Sequence, residues 1–446
     1  MQKGRIDIVS MGCSKNLVDS ERLMRRLQAK GYDMHHDSED VCGEVVVVNT
    51  CGFIGDAKQE SIEMILRLAE GKESGRIGRL MVMGCLAQRY LDELKAEIPE
   101  VDRWYGKFDW ASLVEELPDL KRGSEKPRDW ERVLTGTPYS AYIKISEGCD
   151  RFCAYCAIPL ITGRHHSRPV QEIVDEVTDL ASRGVTEFNV IAQDLSAYGT
   201  DLGYSNSPAP GERSGLATLV DAISRVPGVH WIRLHYAYPV DFPWDVLEVM
   251  RERPNVCDYL DIALQHVSTP VLANMRRHID REQTLSLIQR IRREVPGICL
   301  RTTLMTGFPG EGEAEYAELE EFVKSCRFDR MGAFSYSEED DTWAQRHLRD
   351  EIPQEVKDER RERILALQED ISAELNARLI GREFEMLVES IEDGELTGRT
   401  QWDSPEVDCL VHVPYGESDP PAMPGQYIKV KGTDADAYDI FAELAQ

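Results

Sequence analysis

At 446 residues with 42% apolar content, the chain is long enough for about three domains with packed cores. Its 80 acidic against 52 basic residues give a net charge of −28, which disfavours a general nucleic-acid binder and favours cationic partners. Residues 1–5 lead straight into a strand-like run with no long apolar stretch, so no leader or membrane span is expected; the setting is cytoplasmic, and the eleven cysteines there suit metal or catalytic work better than disulfides.

Three strand-then-helix units open the chain, with strands predicted over 5–11, 44–49 and 79–83 and amphipathic helical patterns such as SERLMRRLQAKG after them. They make an open α/β domain over residues 1–125. A cysteine closely follows each strand: Cys13 in SMGCSKN, Cys51 in NTCGF and Cys85 in MGCLAQ. Parallel α/β sheets gather the carboxyl ends of their strands along one edge, so these three thiols are expected to converge there and hold an iron-sulfur cluster. Gly12, Gly52 and Gly84 beside them would let the backbone pass close to such a cluster. Isolated buried cysteines are also common packing residues, and it is the recurrence after three successive strands that favours a ligand role.

Residues 126–138 form a polar, Pro- and Gly-bearing linker. Alternating strands and helices return over 139–350, with strands predicted at 141–145, 187–191, 230–235, 259–263, 299–305 and 330–334. Six such units fit a partial (β/α)6 barrel with its site at the carboxyl ends of the strands. Just past the first of them stand Cys149, Cys153 and Cys156, spaced C-x3-C-x2-C in KISEGCDRFCAYC. Three thiolates so close can bind three irons of a cubane and leave the fourth open, whereas a closed zinc site wants a fourth ligand that is not nearby. A charged helical connector occupies 351–380. Short alternating runs with Gly and Pro turns over 381–446 predict a small β-barrel.

The cysteine spacing is the signature of the radical S-adenosylmethionine (SAM) enzymes. Together with SMGCSKNLVDSE, NTCGFI, VIAQDLSAYG, LHYAYP, LQHVSTPVLANMRR and TLMTGFPGE, it makes the chain resemble the methylthiotransferases from end to end, most closely those of the RimO type. The transfer-RNA-directed relatives usually carry Gln-Asn where this chain has Gln193-Asp194. The resemblance implies an N-terminal methylthiotransferase domain, a radical-SAM domain and a C-terminal TRAM domain. It implies two [4Fe-4S] clusters, one on Cys149, Cys153 and Cys156 that cleaves SAM to a 5′-deoxyadenosyl radical, the other on Cys13, Cys51 and Cys85 that holds the incoming sulfur. A second SAM would supply the methyl group. The implied substrate is an aspartate of small-subunit ribosomal protein twelve, converted to 3-methylthioaspartate, and the implied partners include an electron donor such as a flavodoxin or ferredoxin and a sulfur source. One departure is Ile161-Thr162-Gly163-Arg164, where relatives often have Arg-Gly, which puts a role for Arg164 in question.

Further candidates follow from position. Gln193 and Asp194, just past the second barrel strand, could hydrogen-bond the SAM amino group or the substrate. Arg233 and Arg301 could pair with a carboxylate of either, with a structural salt bridge as the competing reading. Gly307 and Gly310 would pass close to the adenosyl group or simply form a turn. Phe152 and Tyr155 would shield the iron, stack on adenine, or pack. His35-His36 and His165-His166 receive no metal, and Cys42, Cys257, Cys299, Cys326 and Cys409 read as packing residues.

The tail from Gly381 carries fifteen acidic and four basic residues. A barrel so charged repels phosphates and suits a basic protein partner, with Asp403, Glu406 and Asp408 as candidate docking carboxylates. Two other readings are a transfer-RNA adenosine methylthiotransferase and a non-catalytic iron-sulfur electron carrier.

Overall fold

The computed structural model describes residues 2–121, 125–416 and 418–445. The first sheet is parallel and five-stranded. In spatial order its strands are Asp33–His36, Gln2–Ser10, Gly43–Thr50, Arg79–Gly84 and Arg103–Trp104. The β-branched run GEVVVVNT forms the central strand because it is covered on both faces and its side chains pack both ways. The two edge strands, four and two residues long, are additions to the three the sequence predicts.

A second parallel sheet of six strands follows: Ser140–Lys144, Glu187–Ile191, Trp231–Ala237, Val256–Gln265, Cys299–Thr306 and Arg330–Ser335, adjacent in chain order. It is the partial barrel expected of the sequence, with the largest hydrophobic core of the molecule inside its helical layer. The helix Gln354–Asn376 lies along its last strand and buries Ile364 and Ile371. The chain ends in a closed five-stranded barrel built from Glu383–Glu392, Glu395–Arg399, Leu410–Pro414, Tyr427–Ala435 and Asp439–Leu444. No helix among the described residues is long and apolar enough to cross a membrane.

The small barrel sits under the amino ends of the six-stranded sheet. Its Thr400–Asp408 loop is the plug: Arg330 pairs with Asp403 (2.6 Å), Arg301 with Asp408 (3.3 Å), and Tyr259 donates to Asp408 (2.9 Å). Asp403 is fully buried, so Asp403 and Asp408 join two domains and are not a docking face for a basic protein. Of the three carboxylates proposed for docking, only Glu406 is exposed.

The polar segment read as a linker is also built in. Trp130 and Arg132 are buried, and Arg132 bonds Glu21 of the first domain (2.6 Å) and Glu176 of the second (2.9 Å). Residues 122–124, just before that stretch, lie outside the described residues.

Candidate active site

The three cysteine-bearing strands of the first domain are neighbours, and the register sets Ser10 beside Asn49 and Thr50 beside Gly84. Cys13, Cys51 and Cys85 therefore leave one sheet edge side by side. Buried amides fix the turns between them: Asn16 donates to the Met11 and Thr50 carbonyls (both 3.0 Å), and Asn49 donates to the Asn16 carbonyl (2.9 Å). The Cys85 thiol donates to Asn16 Oδ1 at 3.7 Å. The glycines make room for these loops. A methyl on Gly12, which has φ +85°, would fall 2.8 Å from Cys51 Sγ, and one on Gly52 2.6 Å from the Leu86 nitrogen.

The second trio lies on a loop clasped by a two-stranded ladder, Ser146–Glu147 against His166–Ser167. Gly148 (φ +74°) permits the clasp, since a Cβ there would overlap the Arg164 carbonyl. The Cys149 amide donates to the Gly163 carbonyl (3.2 Å) and the Cys156 amide to that of Cys153 (3.0 Å). Arg277, fully charged and buried, donates to Cys153 Sγ (3.5 Å) and Tyr155 Oη (3.3 Å), and its guanidinium lies 4.2 Å from the Tyr238 ring centre. Burial pushes the thiols of Cys85 and Cys149 up to about 12, and those of Cys51 and Cys156 upward as well. Metal binding at these sites must therefore displace protons.

The first trio meets the segment of the second at the domain junction through one of its members. Cys85 packs with Ala157 and Ile161, on the segment that follows Cys156. Around that contact a buried charge quartet ties the domains: Lys107 reaches Asp19 (2.9 Å), while Lys144 bonds both Asp19 and Glu147. Burial opposes the charge on Lys107, but Asp19 and Glu147 outweigh it and keep the ammonium protonated close to Cys85. Lys15, two residues past Cys13, lies 3.5 Å from the centre of the Tyr236 ring in the barrel.

The remaining candidates divide. Gln193 donates to Glu147 (2.9 Å), leaving its Oε1 buried with no donor; Ser146 Oγ and Gln265 Oε1 are likewise unpartnered at the ends of barrel strands. Unpaired polar atoms here suit a polar ligand such as SAM. Phe152, at φ +48° and 40% exposed, stands beside the cysteine loop under the Arg164 guanidinium, whereas Tyr155 packs edge-on against Phe308. Asp194 is held by Arg151 (2.6 Å).

Three cofactor candidates are corrected. Arg233 is fully buried at the opposite end of its strand, bonded to Glu187 (2.5 Å) and to the Thr400 carbonyl (3.2 Å). Arg301 is taken by Asp408 and Asp261 (3.5 Å). Both face the small barrel because they stand near the amino ends of parallel strands. Gly307 is covered by Lys357 of the connecting helix, whose Cγ lies 2.1 Å from where a Cβ would stand, so it makes room for protein.

Sequence reasoning missed Asn16, Lys107, Glu147, Tyr238 and Arg277. Glu147 and Arg277 sit inside quoted motifs, but no local spacing marks them as partners of a cysteine. Among the described residues, no three His, Cys, Asp or Glu side chains close around a point as a single metal ion needs.

Residues 143–323 match the sequence pattern of the Radical SAM superfamily, residues 380–445 that of the TRAM domain, and residues 5–106 that of the uncharacterized protein family UPF0004. A protein of Parabacteroides distasonis is 53% identical over 444 residues, covering 100% of both chains, and bears the name ribosomal protein uS12 methylthiotransferase RimO. The chain belongs to the RimO methylthiotransferase family. Family members of the same name from Porphyromonas gingivalis (52%, 100% of both chains) and Cytophaga hutchinsonii (45%, 100% of this chain and 99% of that one) are also similar along their whole length. Membership of the radical SAM superfamily implies a [4Fe-4S] cluster and SAM as cofactors. Among solved structures, the radical SAM methyltransferase TsrM of Kitasatospora setae aligns over 74% of this chain and 72% of its own, with a TM-score of 0.54 at 14% identity, a likeness of fold alone.

Proposed function

We propose that this family member replaces a β-hydrogen of an aspartate in ribosomal protein uS12 with a methylthio group, giving 3-methylthioaspartate. Cys149, Cys153 and Cys156 would hold the SAM-binding [4Fe-4S] cluster, and Cys13, Cys51 and Cys85 a second one. The observation that supports this is the packing of Cys85 on Ala157 and Ile161, which brings one thiol of the first set against the segment that follows Cys156.

When bound, the clusters and SAM supply the hydrogen abstraction, the sulfur and the methyl group, which no side-chain acid or base could. The chain's own residues bind and shield. Arg277 donates to Cys153 and fixes the position of its sulfur. Gln193 Oε1 is free to accept from the SAM amino group. The buried quartet of Lys107, Asp19, Lys144 and Glu147 closes the junction against water, which a carbon-centred radical requires.

The acidic C-terminal barrel supports a basic protein substrate over RNA. A ribosomal-protein substrate places the enzyme in the cytoplasm, where a flavodoxin or ferredoxin would donate electrons and a separate sulfur source would recharge the second cluster. The test is mass spectrometry of uS12 and of tRNA nucleosides from a deletion strain complemented with wild type or with Cys85→Ala. Methylthiolated uS12 with wild type alone supports the reading. Unmodified uS12 beside a restored tRNA methylthioadenosine overturns it.

A further inference from the structure

In a chain with 28 more acidic than basic residues, most arginines are expected to find a carboxylate. At one cavity several of them meet few carboxylates. At the amino ends of the last two barrel strands, a cavity of about 540 Å³ is lined by Arg292, Arg327, Arg330, Arg378 and Arg382 against a single carboxylate, Asp329. Two of these cations are neutralised, Arg330 by Asp403 (2.6 Å) and Arg327 by Glu374 (2.5 Å). Arg292 donates to the Cys326 and Arg327 carbonyls (2.5 and 2.9 Å), with Asp329 at 3.9 Å. Among the described residues, the side chains of Arg378 and Arg382 have no hydrogen-bond or ion-pair partner, and the Trp402 indole N–H in the same wall is a buried donor without an acceptor.

Unpaired guanidinium groups around a concave space, with a spare buried donor beside them, are the complement of an oxyanion. The volume suits a small ligand. A long RNA strand would meet the repulsion of the remaining surface, which a compact anion avoids. We infer that this cavity binds a compact oligophosphate, a molecule carrying two or more linked phosphate groups. The site is separate from the cysteine trios, since Cys299 and Arg330 in its lining are the first residues of their strands. Its cations come from three parts of the chain, the partial barrel, the connector and the small barrel, so a bound anion would brace their junction.

The test uses the full-length protein and inorganic tripolyphosphate at low salt, by calorimetric titration and by the shift in melting temperature. Wild type is expected to bind and to melt higher with the ligand. The double variant R378E/R382E, which breaks no contact in the free protein, is expected to keep its unliganded melting temperature and to bind at least about tenfold more weakly. Arg382→Gln, which adds no negative charge, is expected to weaken binding in the same direction, and Arg346→Glu on a distant exposed helix to leave it unchanged. Three results would overturn the inference: no binding to wild type, equal binding to R378E/R382E, or binding of a ten-nucleotide single-stranded RNA at these arginines with none of tripolyphosphate.

Discussion

Glu176, on the helix Val170–Ser182, is fully buried 2.9 Å from Arg132, a residue of a segment that looks solvated in the sequence. Arg22 and Arg168 also reach Glu176, and Arg132 continues to Glu21, so this one carboxylate gathers the N-terminal domain, the strap and the barrel. Removing the central cation leaves Glu21 without its closest partner and Glu176 with Arg22 and Arg168 alone. Arg132→Met is expected to destabilise the domain junction by about 3–5 kcal/mol, visible in thermal unfolding as an early N-terminal transition and in faster proteolysis near residue 130. A single unshifted transition would refute this.

Glu187 joins the two barrels through Arg399 (2.8 Å) and Arg233 (2.5 Å). Burial would raise its pKa, but the two guanidinium groups overcome this and hold it well below the ordinary carboxylate range. Its contribution to stability is thus present above the unfolded-state value of about 4.3 and is lost as pH falls toward the folded value. Glu187→Gln should be less stable than wild type at pH 7, and the gap should narrow on acidification below pH 4. Denaturant unfolding at several pH values checks this; a gap independent of pH would contradict it.

Gly12 combines φ +85° with a Cβ position 2.6 Å from Cys51 Cβ. Gly12→Ala is expected to strain the turn by about 1–3 kcal/mol and to displace Cys51. After anaerobic reconstitution the variant should retain the iron of the Cys149 loop and lose the rest. Full iron content would show that the thiols tolerate the shift.

The triple variant Cys149→Ala/Cys153→Ala/Cys156→Ala should keep about half of the reconstituted iron and sulfide, because the other trio is held by a different domain. Loss of all the iron would mean that the two trios do not load separately.

Much of this was legible because cysteine position and strand period are local facts. Cys13, Cys51 and Cys85 follow strands whose apolar runs are unmistakable, and the C-x3-C-x2-C loop declares itself. The short edge strands Asp33–His36 and Arg103–Trp104 escaped because so few residues carry no period. Charged residues misled for a different reason. Arg301, Asp403 and Asp408 look free in sequence, yet each finds a counter-ion in another domain, more than 70 residues away. Arg233 pairs with Glu187 on the neighbouring strand, a carboxylate that Arg399 of the small barrel shares, and Gly307 was misread because the Lys357 that covers it is fifty residues away.

The N-terminal domain is fastened at both ends of the six-stranded sheet: near the first strand by Arg132 and Glu176, and beyond the last by Lys58 and Arg89 on Glu339, each at 2.8 Å. Clamped at two opposite margins, the pair of domains cannot gape like a shell. A substrate that enters between domains so clamped would have to offer a slender, protruding tip of chain, and a bulky folded element would be turned away by girth.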